Sequence, residues 1–307
     1  MGGSNGGYSI PTKSLQELEA ERIEREKQLN YEREVNEFLQ SLFKDINNRN
    51  VEQVNKHLDT LKKALEKDSE DIYELKFGGS VSKHTYTNGL SDIDMLVRIN
   101  KSSFINAKPE EVLSHFAKKI QERLPKTNVS VGKLAVTVKF SSGSEIQLLP
   151  SIKTATGYKI AKPGKNEWSN VIKPEKFATK LTKVNQANSG RVVPLIKLFK
   201  GINDTFPKNK RLSGYHIESL GIDAFKKYTG KNTYKGMTEH FCKHVQQAVL
   251  RPIKDSTGQS IHVDGYLGGS NSQERKQISH NFKMLGKRLS QANAMAATEK
   301  WKDILGY

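Results

Sequence analysis

The chain has 307 residues, of which 35% are hydrophobic and 27% are charged. These values are typical of a folded globular protein, and no apolar run approaches the length needed to span a bilayer. The single cysteine, Cys242, excludes an internal disulfide, and the sequence lacks a basic and apolar leader, so we expect a cytoplasmic protein. The net charge of +17 predicts polyanionic partners or substrates, whereas the alternative is a lysine-rich surface that only maintains solubility.

The N-terminal part of the chain predicts two helices after a short polar segment. Residues 1–12 are rich in Gly and Ser, which predicts a mobile segment. Ser14 can cap a long, heavily charged helix, and the apolar residues between positions 35 and 46 recur at helical spacing. A second amphipathic helix is predicted from residue 51 to residue 65. Both helices are therefore expected to pack an apolar stripe against a core.

A glycine-rich turn followed by paired aspartates carries the clearest chemical signal. Gly78 and Gly79 allow a backbone to approach an anion closely, and Ser80 adds a hydroxyl donor. Asp92 and Asp94 then alternate with apolar residues at the start of a predicted strand, so both carboxylates share one face. Two such carboxylates repel unless a cation lies between them, and Mg²⁺ or Mn²⁺ with substrate phosphates suits oxygen ligands. This combination predicts nucleotidyl transfer with two metal ions, and the alternative is a hairpin with an exposed acidic face.

The order of these elements resembles the DNA polymerase β-like nucleotidyltransferases. The longer string GGSVSKHTYTNGLSDID is similar to that of one branch, the bacterial CD-NTases, which are cyclic oligonucleotide synthases of CBASS anti-phage systems. The resemblance implies Asp92 and Asp94 as catalytic metal ligands and ATP, GTP or pyrimidine NTPs as substrates. It also implies a downstream effector that binds the cyclic product. It covers nearly the whole chain and is thinnest in residues 1–50.

The resemblance also implies a third carboxylate on the strand predicted over residues 145–150. In related synthases this acid stands three residues before a proline, and Gln147, a neutral amide, has that position here. Glu145 lies two residues earlier and therefore shares the same strand face. We predict Glu145 as the third catalytic and metal-binding acid. The alternatives are that Gln147 retunes the site, that catalysis is weak, or that Glu145 is an ordinary solvated strand residue.

From residue 177 onward the pattern becomes helical. Lys197 and Lys200 share one helical face among apolar residues, where two ammonium groups are expected to need a buried anion. Ser213 stands near the next helix start, where backbone N–H groups and the helix dipole favour phosphate. In related synthases, a lysine and a serine of these two segments hold the donor triphosphate. The resemblance therefore assigns nucleotide binding to Gly79, Ser80, Lys197, Lys200 and Ser213.

The last long predicted helix, residues 272–297, is strongly basic. Its basic side chains are Arg275, Lys276, Lys283, Lys287 and Arg288. One interpretation is a solvated basic face, and the other is a nucleic-acid surface. The second interpretation, together with the net charge, predicts an RNA or DNA activator that binds outside the NTP cleft.

These patterns predict an α/β fold of the polymerase β-like nucleotidyltransferase type. A small mixed sheet carries Asp92, Asp94 and Glu145, preceded by a long N-terminal spine helix. We expect a nucleotidyltransferase core with N-terminal helices over residues 13–175 and a helical half that closes the cleft over residues 176–307. The predicted function is Mg²⁺-dependent synthesis of a cyclic di- or trinucleotide. The alternatives are template-independent RNA nucleotidyl transfer and a catalytically degenerate RNA-binding sensor or antitoxin.

Overall fold

The structure is a computed structural model that describes residues 13–47, 51–66, 72–86, 93–99, 104, 106–162, 165–255 and 262–306. The described helices are α1 (Leu15–Asn47), α2 (Val51–Glu66), α3 (Gly79–Ser82), α4 (Pro109–Arg123), α5 (Pro174–Ala187), α6 (Val192–Asp204), α7 (Gly214–Phe225), α8 (Tyr234–Ala248), α9 (Gln273–Ala294) and α10 (Thr298–Leu305). The described strands are β1 (Ile72–Phe77), β2 (Ile93–Ile99), β3 (Asn128–Val131), β4 (Val136–Lys139), β5 (Glu145–Lys153) and β6 (Tyr158–Ile160). The predicted α/β fold is confirmed. Within these ranges, no helix is both long enough and apolar enough to cross a membrane.

The strands form one mixed sheet in the order β1-β2-β5-β4-β3, and β6 pairs with the second half of β5. The pair β2–β5 is parallel and the other pairs are antiparallel. Along β2, Ile93, Met95 and Val97 are buried on one face, as the alternation of apolar residues predicts. Asp94 and Leu96 lie on the opposite face, which is the face that the site uses.

One apolar core lies on the buried face of the sheet. It packs the sheet against α2 and α4, with Leu61, Val112, Phe116 and Ile146 among its members. These helices supply the apolar positions that recur at helical spacing in the sequence. The core therefore holds β2 and β5 rigidly, and the carboxylate-bearing face points away from it.

A second core joins the C-terminal helices to the spine helix. Val35, Leu39 and Leu42 of α1 pack in the same cluster as residues of α5 to α10, such as Phe199 and Trp301. The spine helix thus packs on the helical half, whereas α2 packs on the sheet. The predicted division between residues 175 and 176 stays a prediction. That prediction groups α1 with the sheet, whereas the apolar residues of α1 pack against the C-terminal helices.

Arg275 corrects the predicted basic surface of α9. Its side chain is fully buried, and its guanidinium donates to Asp264 at 2.7 Å and to the carbonyl groups of Val249, Arg251, Gly268 and Gly269. The assignment of Arg275 to a nucleic-acid surface is therefore wrong. The other four basic residues of that prediction are exposed, namely Lys276, Lys283, Lys287 and Arg288.

Candidate active site

The glycine turn lies directly against Asp94. The Gly78 N–H donates to the Asp94 carbonyl at 2.8 Å, which ties the turn to β2. Gly79 has φ +46°, and a Cβ built at this residue would lie 1.6 Å from Oδ2 of Asp94. Only glycine fits such a left-handed and crowded position. The atom that the Gly79 backbone approaches is thus the carboxylate oxygen of Asp94, and the expected approach to a phosphate stays a prediction.

A cleft of about 200 Å³ opens where the sheet meets the helical half. Its sheet side includes Gly79, Asp94 and Leu96, and its helical side includes Phe177 and Tyr215. Because residues of both halves line it, a ligand here would contact the glycine turn and the helices together. Of the other predicted site residues, Asp92 and the side chain of Ser80 lie outside the described residues, so the aspartate pair stays a prediction.

The two candidates for a third acid position lie on β5 next to Asp94. In the parallel β2–β5 pair, Asp94 is the register partner of Gln147. Glu145 is instead the register partner of Lys139 on β4, and its carboxylate accepts a charged hydrogen bond from Lys139 Nζ at 2.7 Å. This hydrogen bond raises the pKa of Lys139. The neutral amide of Gln147 is thus level with Asp94, while the carboxylate of Glu145 is paired with the Lys139 ammonium. The catalytic role of Glu145 stays a prediction.

A buried ionic network joins the segment after α3 to helices α6 and α7. The Glu218 carboxylate is 1% exposed and accepts from Lys200 Nζ at 2.8 Å, from Lys83 Nζ and from the Thr85 hydroxyl. Lys200 Nζ also donates to the Thr85 carbonyl at 3.0 Å and to its hydroxyl at 3.2 Å. The buried anion expected for the lysines of α6 is therefore, for Lys200, a carboxylate of the protein itself.

The two ammonium groups that contact Glu218, those of Lys83 and Lys200, have different surroundings. Burial alone would raise the pKa of Glu218. The positive charges of Lys83 and Lys200 lower this pKa by more than burial raises it, so the net shift is downward and the carboxylate stays ionised. Burial lowers the pKa of Lys200, and Glu218 offsets part of that effect. Lys83 lies at the cleft, where its Nζ stands 5.1 Å from the Phe177 ring centroid and 5.4 Å from that of Tyr215. Lys83 is thus the ammonium of this network that borders the cleft.

Sequence reasoning missed both Lys83 and Glu218 as site residues. Glu218 is the one acid in the first half of α7, between the apolar residues Ile217 and Leu220, and such an isolated acid was the available signal. Lys83 sits four residues after Gly79 in a polar connector, where nothing in the local pattern distinguishes it. Lys197 is buried on the same helix as Lys200, as predicted.

Ser213 caps α7, as its position near a helix start predicts. Its hydroxyl accepts from the His216 N–H at 3.2 Å, and its own N–H donates to the Tyr266 hydroxyl at 2.9 Å. A Cβ built at Gly214 would lie 3.7 Å from Lys200 Nζ, so the start of α7 lies beside the buried network. Burial lowers the pKa of His216 to about 4, which keeps this histidine neutral at physiological pH.

A comparison with family profiles identifies the protein family. A profile described as the Second Messenger Oligonucleotide or Dinucleotide Synthetase domain matches residues 31–185, which include the glycine turn, Asp94 and Gln147. The chain belongs to this synthetase family. No curated protein matches the sequence.

Solved structures of CD-NTases have the same fold. CdnC of E. coli MS115-1, solved with ATP, has a TM-score of 0.66 at 16% identity and covers 87% of this chain and 93% of its own. CdnG of Bradyrhizobium diazoefficiens, in complex with GTP, has a TM-score of 0.61 at 12% identity and covers 82% and 92%. The Vibrio cholerae cyclic AMP-GMP synthase DncV has a TM-score of 0.60 at 12% identity and covers 96% and 91%. These structures confirm the resemblance to bacterial CD-NTases for the fold, and the profile match shows the synthetase family.

Proposed function

We propose that this second messenger synthetase is a cyclic oligonucleotide synthase that joins NTPs into a cyclic di- or trinucleotide. The observation that carries the proposal is the cleft in which Asp94, the backbone of Gly79 and the ammonium of Lys83 meet. An acidic oxygen ligand beside a cation and a close backbone is the arrangement that a nucleoside triphosphate requires. We extend the proposal to a role in CBASS anti-phage signalling, with a downstream effector that binds the product.

We propose at this cleft the oxygen donors that hard divalent cations prefer. Asp94 lines the cleft, and Gln147 is its register partner on the adjacent strand. Asp92, Asp94 and Glu145 would hold two Mg²⁺ or Mn²⁺ ions, which when bound neutralise the phosphates and lower the pKa of the attacking hydroxyl. We assign the turn of Gly79 and Ser80 to the triphosphate.

The lysines of the cleft differ in their proposed roles. Lys83 is proposed to contact the triphosphate, since it borders the cleft. The Lys200 ammonium donates to Glu218 and to two oxygens of Thr85. We therefore propose that Lys200 positions the residues around the phosphate site and does not itself contact phosphate. Lys197 and Ser213 remain proposed phosphate contacts from α6 and α7.

The proposed reaction repeats one nucleotidyl-transfer step, twice for a dinucleotide and three times for a trinucleotide. In each step a ribose hydroxyl loses its proton, its oxygen bonds to the α-phosphorus of a 5′-triphosphate, and pyrophosphate leaves. The last step joins the two ends of the linear intermediate within the same cleft. Phe177 and Tyr215 form the apolar wall opposite Asp94, where their rings lie 4.8 Å apart between centroids and can exclude water from the reacting atoms.

A second candidate function has one observation in its favour. Gln147, rather than an acid, is level with Asp94 in the sheet. A site with fewer carboxylates binds metal ions more weakly, which favours a binding module such as an RNA sensor or antitoxin. Template-independent RNA tailing uses the same core chemistry and remains an outcome that product analysis separates.

The test is incubation of the pure protein with labelled NTPs and Mg²⁺. Small products that resist phosphatase support the cyclic synthase, extension of RNA supports tailing, and absence of turnover supports a binding module. The double variant Asp92→Asn with Asp94→Asn should make no product while it keeps its thermal stability, because less like charge is brought together. Asp303→Asn, on an exposed position of α10, is the matched control and should keep full activity.

A further inference from the structure

Helices α8 and α9 enclose a basic groove on the helical half, which we name the α8–α9 groove. It has a volume of about 390 Å³ and is lined by Glu239, Lys243, Gln246, Lys283, Gly286, Lys287, Ser290 and Asn293. On α8 the lining residues recur at intervals of four and three, and on α9 they lie on one helical face with the spacing i, i+3, i+4, i+7 and i+10 from Lys283. The groove therefore follows the line along which the two helices pack.

A glycine forms part of the groove's floor. A Cβ built at Gly286 would lie 3.8 Å from the Cβ of Cys242, so α9 presents no side chain where it crosses α8. Cys242 beneath it is 1% exposed. The lining on α9 runs from Lys283 to Asn293, ten residue steps that correspond to about 15 Å of helix axis. The groove is thus long and shallow rather than a closed pocket.

Three ammonium groups in the groove have no neutralising partner among the residues that the structure describes. Lys243, Lys283 and Lys287 are exposed, and within the described part of the chain none of them has an ion pair or a hydrogen bond. The one carboxylate in the lining, Glu239, is already engaged by Lys235 at 3.2 Å and by the Asn293 side-chain amide at 2.7 Å. The groove therefore carries an uncompensated positive charge.

We infer that the α8–α9 groove binds the sugar–phosphate backbone of a nucleic acid. Apart from the charged groups, the described residues of its lining are two amides, a serine and a glycine, and none of them is an aromatic or large aliphatic anchor. A protein partner would need such anchors for its central contacts. A phosphodiester strand needs only cations and polar donors in a row.

This groove has a different composition from the predicted basic face of α9. It adds Lys243 from α8, it keeps Lys283 and Lys287, and it excludes the buried Arg275. Lys276 lies on the same helical stripe as Lys283, two turns earlier, and extends the basic line beyond the groove. The inference does not depend on NTP synthesis, since it concerns a site on the helical half away from Asp94.

The experiment compares two triple variants of equal net charge. The groove variant carries Lys243→Glu, Lys283→Glu and Lys287→Glu. The control variant carries Lys62→Glu, Lys126→Glu and Lys133→Glu, which are exposed positions on the sheet half. Binding of a short RNA duplex, a DNA duplex and an RNA single strand is measured by fluorescence anisotropy at several salt concentrations.

The expected result is a change in salt dependence that only the groove variant shows. The slope of log K against log salt is negative, and each lost phosphate contact reduces its magnitude by about 0.9 for a duplex, so three lost contacts reduce it by about 3. The control variant should keep the slope of the wild-type protein. Equal losses in both variants would mean that the overall charge attracts nucleic acid, and this result would overturn the inference.

Two further outcomes would also overturn it. One is absence of wild-type binding to any of the three probes at about 50 mM salt, where phosphate contacts are strongest. The other is binding of polyglutamate as tight as that of RNA and equally sensitive to the groove variant, which would indicate an acidic protein partner. If the charge reversals lower the melting temperature, the corresponding Lys→Gln variants carry the test.

Product assays run in parallel keep this inference separate from the proposed function. Basal synthesis should be the same in the groove variant and in the wild-type protein. A stimulation by nucleic acid, where it occurs, should be lost in the groove variant alone. Failure of the wild-type protein to make any product would refute the synthase but leave the binding result to decide the groove.

Discussion

The substitution Glu218→Gln tests the buried network at the cleft. Glutamine keeps the shape of the side chain but removes the charge that Lys83 and Lys200 share. Because Glu218 is 1% exposed, water cannot replace it, and removal of one partner of a buried ion pair costs about 3–5 kcal/mol. For a chain of this length that unfolds as one unit, such a loss lowers the melting temperature by about 5–8 °C.

The same substitution should change the pH dependence of stability. The pKa of Glu218 is lower in the folded state, so its contribution is present above the unfolded-state value and is lost as pH falls through the folded one. The wild-type protein and the variant should therefore differ fully near neutral pH. The difference should shrink below about pH 4. Scanning fluorimetry over a pH series measures both effects.

Matched variants make the result specific to the network. Glu299 forms an exposed pair with Lys302 at 2.6 Å, and its side chain is 78% exposed. Glu299→Gln should therefore cost less than about 1 kcal/mol. Lys200→Met combined with Glu218→Gln should cost less than the sum of the single changes, because the double variant removes one of the two ammonium groups left unpaired. Equal effects of Glu218→Gln and Glu299→Gln would refute the network.

Three further predictions concern backbone strain and the buried thiol. Gly79→Ala should abolish product formation and lower stability by about 1–2 kcal/mol, because φ is +46° and the new Cβ overlaps a carboxylate. His84 has φ +58° and is exposed, so His84→Gly should raise the melting temperature relative to His84→Ala, and equal values would contradict the strain. Burial raises the pKa of Cys242, so a thiol reagent should label it only after unfolding, and labelling of the native protein at the rate of an exposed thiol would contradict this.

The family resemblance predicted the fold, and local patterns were sufficient for the alternation along β2 and for the position of the glycine turn. The apolar alternation of β2 follows from its own residues, since Ile93, Met95 and Val97 occupy every second position. Gly78 and Gly79 predicted a tight turn because glycine permits close backbone approach, while the phosphate expected beside that turn stays a prediction. These inferences use neighbours in sequence only, and such neighbours are what a single sequence shows.

Contacts between distant segments could not be predicted in the same way. Lys83 and Glu218 are separated by 135 positions, and no local signal links them. For Arg275 the sequence contained a signal for burial, but the sequence interpretation gave more weight to its positive charge. It stands three residues before Ile278 and seven before Phe282, both buried, so helical periodicity placed it on the apolar face of α9. Its burial is possible because backbone carbonyl groups and Asp264 accept all of its donors.

The identity of the third acid depends on strand register, which a sequence leaves open. A shift of two residues keeps every side chain on its face, so the alternation along β5 fits either residue next to Asp94. The observed register brings Gln147 level with Asp94 and pairs Glu145 with Lys139.

The charge distribution still favours Glu145 as the functional acid. Of the two candidates, Glu145 alone bears a charge on that face, and its side chain is 34% exposed and therefore able to turn towards a bound cation. We expect Glu145→Gln to lower turnover far more than Gln147→Ala, and Lys139→Met to preserve turnover because it only releases the carboxylate. The opposite ranking, together with a gain of activity in Gln147→Glu, would assign the third-acid position to Gln147, since that residue is the one level with Asp94.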